Sequence, residues 1–71
     1  MKVTIVKLVN EGSCYSPAYT ESKHPIEVEV SSLQGLKISC ARRGIYNAHF
    51  YQDGKLIGKV RGGVRYHRYS F

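Results

Sequence analysis

The chain reads as one small α+β domain: an antiparallel β-sheet of four or five strands packed on one α-helix, in the order ββαβββ. Three observations predict it. Ile26-Glu27-Val28-Glu29-Val30 alternates apolar and charged groups, as a half-buried strand does. Ser31 to Gly44 carries a helical apolar stripe between start and stop signals. Asp53-Gly54 separates two strand-like runs in the manner of a hairpin. With 71 residues, a single domain spanning 1–71 is expected, and a chain of this size buries only about 60% of its unfolded surface. A sheet with one helix on its apolar face needs no other cover.

Taken in order, Lys2-Val3-Thr4-Ile5-Val6-Lys7-Leu8-Val9 is rich in β-branched and aliphatic groups and predicts a strand. Its apolar groups fall on both faces, as in a central strand covered on both sides. Residues 10–25 follow as a long polar loop with Gly12, Pro17 and Pro25. Within it, Tyr15 and Tyr19 either fold over the edge of the core or contact a partner. In the next strand Ile26, Val28 and Val30 face inward, with Glu27 and Glu29 in water.

Between Ser31 and Gly44, Leu33, Leu36, Cys40 and Ala41 share one helical stripe. Ser31 with Gln34 fits a capping box, and Arg42 and Arg43 fall in the last turn, where cations complement the helix dipole. Gly44 supplies a left-handed stop. Leu36, Ile38 and Cys40 also alternate, and as a strand they would make the fold a small all-β barrel.

For Ile45 to Arg61 the face pattern selects the loop. A two-residue Asp53-Gly54 loop mixes apolar and charged groups on both faces. A three-residue Gln52-Asp53-Gly54 loop pairs Phe50 with Leu56, Ala48 with Gly58 and Tyr46 with Val60, which makes one face wholly apolar. Register follows the buried face, so the three-residue loop is expected. Asn47, His49, Tyr51, Lys55, Ile57, Lys59 and Arg61 then share the other face. Gly62-Gly63 turns into a last strand, Val64 to Phe71, whose inward side is either Val64 and Tyr66 or Tyr69 and Phe71.

Charge divides the chain in two. The formal net charge is +6, yet residues 1–36 carry Lys2, Lys7 and Lys23 against Glu11, Glu21, Glu27 and Glu29. Residues 37–71 carry eight Lys and Arg against Asp53 alone. Such asymmetry favours acidic partners: nucleic acid, or an acidic protein surface. Cations neutralise phosphates and aromatic faces stack unpaired bases. The candidate partner-binding set is therefore Lys55, Lys59, Arg61, Arg65 and Arg68, with Arg42 and Arg43 at the helix end. Tyr51, Tyr66, Tyr69, His49 and His67 complete it.

Other function classes find little here. Cys14, His24, Cys40, His49 and His67 lack metal-ligand spacing, so neither metal nor cofactor is expected. Glu27 and Glu29 share a solvated face, where both stay ionised. No nucleophile elbow or phosphate-cradling loop occurs, so an enzyme is not expected. No apolar run approaches the roughly 18 residues of a membrane span, which predicts no membrane partner and a cytoplasmic location. A free last strand offers its edge to a second copy, as in a homodimer.

Ser32-Leu33-Gln34-Gly35-Leu36-Lys37-Ile38-Ser39-Cys40-Ala41-Arg42-Arg43, followed by Tyr46 to Lys55, resembles small phage and mobile-element proteins. In these a Ser-Leu-x-x-Ala-Lys-x-x-Ala helix precedes a hairpin ending in Asp-Gly-Lys. Some subtype I-F anti-CRISPR proteins, of strand-strand-helix-strand-strand order, are of this kind. The resemblance implies a non-catalytic inhibitor that binds a host nucleoprotein complex in the host cytosol. It carries over no binding residue.

Overall fold

β1 (Lys2–Asn10) is the axis of the sheet because both its edges are used. Along one edge it pairs antiparallel with β4 (Ala48–Gln52). Along the other it pairs with β3 (Ile26–Glu29) through Lys2–Ile5, and with β2 (Tyr19–Glu21) through Leu8–Asn10. The computed structural model describes residues 1–63 and 66–71. Among them the chain continues from β3 through α1 (Leu33–Arg43) to β4, then β5 (Lys55–Gly63) and β6 (Tyr66–Ser70). Beyond β4 the sheet adds β5 and then β6, again antiparallel.

The α+β class fits, with α1 lying where the barrel alternative needs a strand. The order is βββαβββ, not ββαβββ, because the expected loop 10–25 contains β2. Its three residues are all exposed, so they carry no apolar period. They are held by tertiary pairing, with Glu11 N–H on the Ala18 carbonyl at 2.8 Å and Ser22 N–H on that of Lys7 at 2.8 Å. Asn10 Oδ1 accepts from the amides of Gly12 and Ala18 and closes the loop between them.

The helix starts one residue later than the capping box suggests. Ser32 is the N-cap, and its hydroxyl accepts from Gly35 N–H at 3.2 Å. Gly35 has no side chain to answer it, so the box is half made. At the other end Gly44 adopts φ 68°, a left-handed stop. Of the expected stripe only Leu36 and Cys40 are buried, while Leu33 and Ala41 stay exposed. They join Val3, Ile5, Val28, Ile45, Ala48, Phe50 and Val60 in one core. Burial pushes the Cys40 thiol up to about 11. Cys14 is exposed and both thiols are free.

The β4–β5 hairpin corrects the expected loop. Its tip is a two-residue turn with Asp53 at φ 52° and Gly54 at φ 77°, both in the left-handed region that such turns require. Gln52 pairs with Lys55 and Tyr51 with Leu56. The register then shifts between Phe50 and Tyr51, and below the shift Phe50 pairs with Gly58 and Ala48 with Val60. Ile57 is the extra residue of this bulge. It turns inward against the core, and Leu56 turns out to 56% exposure. The turn chemistry and the apolar face are thus both satisfied, at the cost of one unpaired residue.

At the end of the chain Tyr69 of β6 and Phe71, just past it, turn toward the core side of the sheet. Phe50, Tyr69 and Phe71 stack with centroids 5.7 to 6.4 Å apart. The Lys37 ammonium of α1 lies 5.4 Å from the Tyr69 ring and 6.0 Å from that of Phe71. The Phe71 ring occupies the space that a Cβ on Gly58 would need.

Two outcomes test this packing. A Cβ on Gly35 meets only ordinary contacts, Val30 Cβ at 3.6 Å and Ser32 Oγ at 3.7 Å. Gly35→Ala therefore raises stability by about 1 kcal/mol in a denaturant or thermal melt. In native buffer a disulfide-exchange reagent modifies Cys14 alone, and Cys40 reacts only on unfolding.

Candidate anion-binding surface

Alternation along the strands sorts the charges onto the sheet face opposite α1. Leu8 pairs with Glu21, Thr4 with Glu27 and Lys2 with Glu29, so three carboxylates stand on the β2–β3 side. His49 pairs with Val6 and Lys59 in the middle of the sheet. Arg61 pairs with Arg68, and Lys59 with Ser70, on the β5–β6 side. The charge asymmetry along the chain has become a gradient across one sheet face.

Glu21 governs the middle of this face. Its Oε2 accepts from the Tyr51 hydroxyl and lies 3.0 Å from His49 Nδ1. These contacts span 28 and 30 positions in the chain and hold β2 against β4 over the intervening β1. The Tyr51 and His49 hydrogen bonds hold the Glu21 carboxyl below its ordinary 4.5, and the same bond raises Tyr51. Beside it the Arg61 guanidinium reaches over the sheet to the Tyr19 ring, 4.9 Å from its centroid.

The twelve expected residues do not form one site. Lys59, Arg61 and Arg68 share the outer face with Tyr66, which is 59% exposed and carries Arg68 at 5.7 Å. His49 and Tyr51 share that face but are occupied by Glu21. The bulge moves Lys55 to the Gln52 side of the hairpin, away from Lys59. Tyr69 is turned to the core side: its ring packs on Phe50 and its hydroxyl donates to the Lys37 carbonyl at 3.3 Å. His67 also faces inward, stacked on Tyr46 at 5.4 Å. Arg42 and Arg43 lie on α1, behind the sheet. Arg65 lies outside the described residues.

Sequence reasoning missed Glu21 and Lys37. Glu21 sits in a polar segment with no period, and its partners are far off in the chain, so no local signal could have found it. Lys37 looked like one more surface cation.

Among the described residues no group of three or more His, Cys, Asp or Glu could hold a metal ion, and no helix is long and apolar enough to cross a membrane. Comparison with protein-family models, with curated proteins and with solved structures yields no match to this chain.

The Glu21 contacts fix a pH dependence. A carboxyl whose pKa is lowered by folding stabilises the fold in full above its unfolded value, and that stabilisation is lost as pH falls through the lower folded value. The wild type therefore exceeds Glu21→Gln in stability at neutral pH, and the gap closes below about pH 4.5. An NMR titration of Glu21 moves back toward the ordinary value in Tyr51→Phe.

Proposed function

We propose that this chain is a non-enzymatic binding protein that engages nucleic acid, free or within a host nucleoprotein complex, through the outer face of β5 and β6. One observation carries the reading. Arg61 and Arg68 stand directly opposite each other across the two strands, with Lys59 next along β5. Neither strand contains a carboxylate among its residues. Like charges directly opposite destabilise a sheet. Here each guanidinium is drawn aside onto a tyrosine ring, Tyr19 or Tyr66. A phosphate backbone supplies the countercharge that the fold withholds, and the exposed Tyr66 ring offers a face to an unpaired base.

The likeness of the helix and hairpin segment to subtype I-F anti-CRISPR proteins points the same way, to a phage-type inhibitor that occupies a host nucleoprotein surface without catalysis. A second reading, a protein–protein module, draws on Tyr15, which stands 95% exposed in the loop before β2. Such a module would meet an acidic protein surface and need no nucleic acid.

Binding of a fluorescein-labelled single-stranded oligonucleotide, followed by anisotropy, weakens steeply with salt. For single strands log K falls with log salt by about 0.7 per phosphate neutralised. Lys59→Gln, Arg61→Gln and Arg68→Gln each flatten that slope by about one such step, with the circular dichroism spectrum unchanged. Binding that ignores salt, or none with any DNA or RNA, overturns the proposal. A partner captured from nuclease-treated lysate favours the protein module.

A further inference from the structure

A second basic surface lies on the other side of the sheet. Between α1 and the end of β3 runs an open groove of about 440 Å³, lined by Glu29, Val30, Ser31, Gly35, Ile38, Ser39, Arg42 and Arg43. That volume is within the range of ligand clefts. The helical residues recur at the spacing of a single stripe beside the buried Leu36 and Cys40.

The strand wall has free main-chain groups. Met1 and Val30 exchange both their hydrogen bonds, ammonium to carbonyl at 2.6 Å and Val30 N–H to the Met1 carbonyl at 2.9 Å. Antiparallel pairs alternate between bonded and non-bonded, so Val28 and Ile26 also turn their groups to β1. The N–H and C=O of Glu27 and Glu29 therefore point away from the sheet, along an edge that no other strand of the described residues occupies.

Charge gives that edge a pattern. On the helix side, among the described residues, Arg42 has no ion pair and Arg43 has only the Ser39 hydroxyl, at 3.5 Å. On the opposite face Glu27 has no ion pair among the described residues, while Glu29 is held by the N-terminal ammonium at 3.0 Å. Gly35 adds a further sign. Alanine would fit there and favour the helix, yet the position is glycine and lines the groove.

We propose that this groove binds an extended peptide as an added strand on β3, with acidic side chains toward Arg42 and Arg43 and basic ones toward Glu27. Main-chain bonds to Glu27 and Glu29 supply affinity, and alternation of charge supplies specificity. The site lies at the β3 edge, with β1 and β4 between it and the strands that carry Lys59, Arg61 and Arg68, so it stands whether or not those residues meet nucleic acid.

The probe is a fluorescein-labelled octapeptide of alternating Lys and Glu, titrated with the whole protein. Its anisotropy rises to saturation, and the amides of Glu27 and Glu29 gain protection from hydrogen exchange. A peptide of equal composition with its lysines and glutamates in two blocks binds at least tenfold more weakly. Arg42→Glu with Arg43→Glu lowers affinity at least tenfold. Gly35→Leu, which fills the groove while favouring the helix, does the same, and circular dichroism verifies the fold of each variant. Failure of the alternating peptide to saturate, or equal binding of the block peptide, overturns the proposal. So does displacement of the peptide by single-stranded DNA, which would make the groove an anion patch.

Discussion

The bulge at Ile57 is the constraint on which the rest of the sheet depends. The Asp53-Gly54 turn sets a two-residue loop, and that loop alone would bring Phe50 opposite the inward-turned Ile57 with Gly58 on the wrong face. Skipping one residue restores Phe50 to Gly58 and Ala48 to Val60. Everything beyond β5 inherits this register. Phe71 rests over Gly58 because no side chain stands there. Tyr69 falls opposite Val60 and joins Phe50. Arg61 meets Arg68 on the outer face. One unpaired residue near the hairpin tip thus decides which rings enter the core and which cations share the surface.

The core is small, and its aromatic extension compensates. Among the described residues, nine buried ones form the centre. Phe50, Tyr69 and Phe71 extend it under the flank of α1, where aromatic pairs at these separations add about 0.5–1.5 kcal/mol each beyond burial. Lys37 caps that cluster on one flank of the helix, and the other flank leaves the groove open. The helix therefore divides its polar stripe between a structural cation and two guanidiniums that have no carboxylate partner among the described residues.

The outer face has the opposite character. It holds few apolar groups and is organised by charge, with carboxylates on the β2–β3 side and cations on the β5–β6 side. Glu21 and Tyr19 of β2 reach across to His49, Tyr51 and Arg61, so the shortest strand contributes side chains that quiet the middle of the face. Among the described residues of this face, Lys59, Arg61 and Arg68 on the β5–β6 margin have no ion pair, and there the proposed polyanion contact falls.

The three-residue loop expected at Gln52-Asp53-Gly54 gave way to a two-residue turn, but the strand at Ile26–Glu29, the helix and its glycine stop, and the presence of a hairpin at Asp53-Gly54 were legible in the sequence, because each rests on interactions within a few residues: alternation, capping and turn conformation. So was the charge asymmetry, which is a property of composition. Only the tertiary structure decided the rest. β2 exists because β1 has an edge beyond β3 to fill. The bulge exists because the turn and the core face ask for different registers. Tyr69, among the expected binding residues, went to the core because its partners Phe50 and Lys37 are near only in space. The single basic face expected from the sequence became two, since helix and sheet turn their cations in opposite directions. Local chemistry named the elements, and contacts between distant residues decided which side chains were left for a partner.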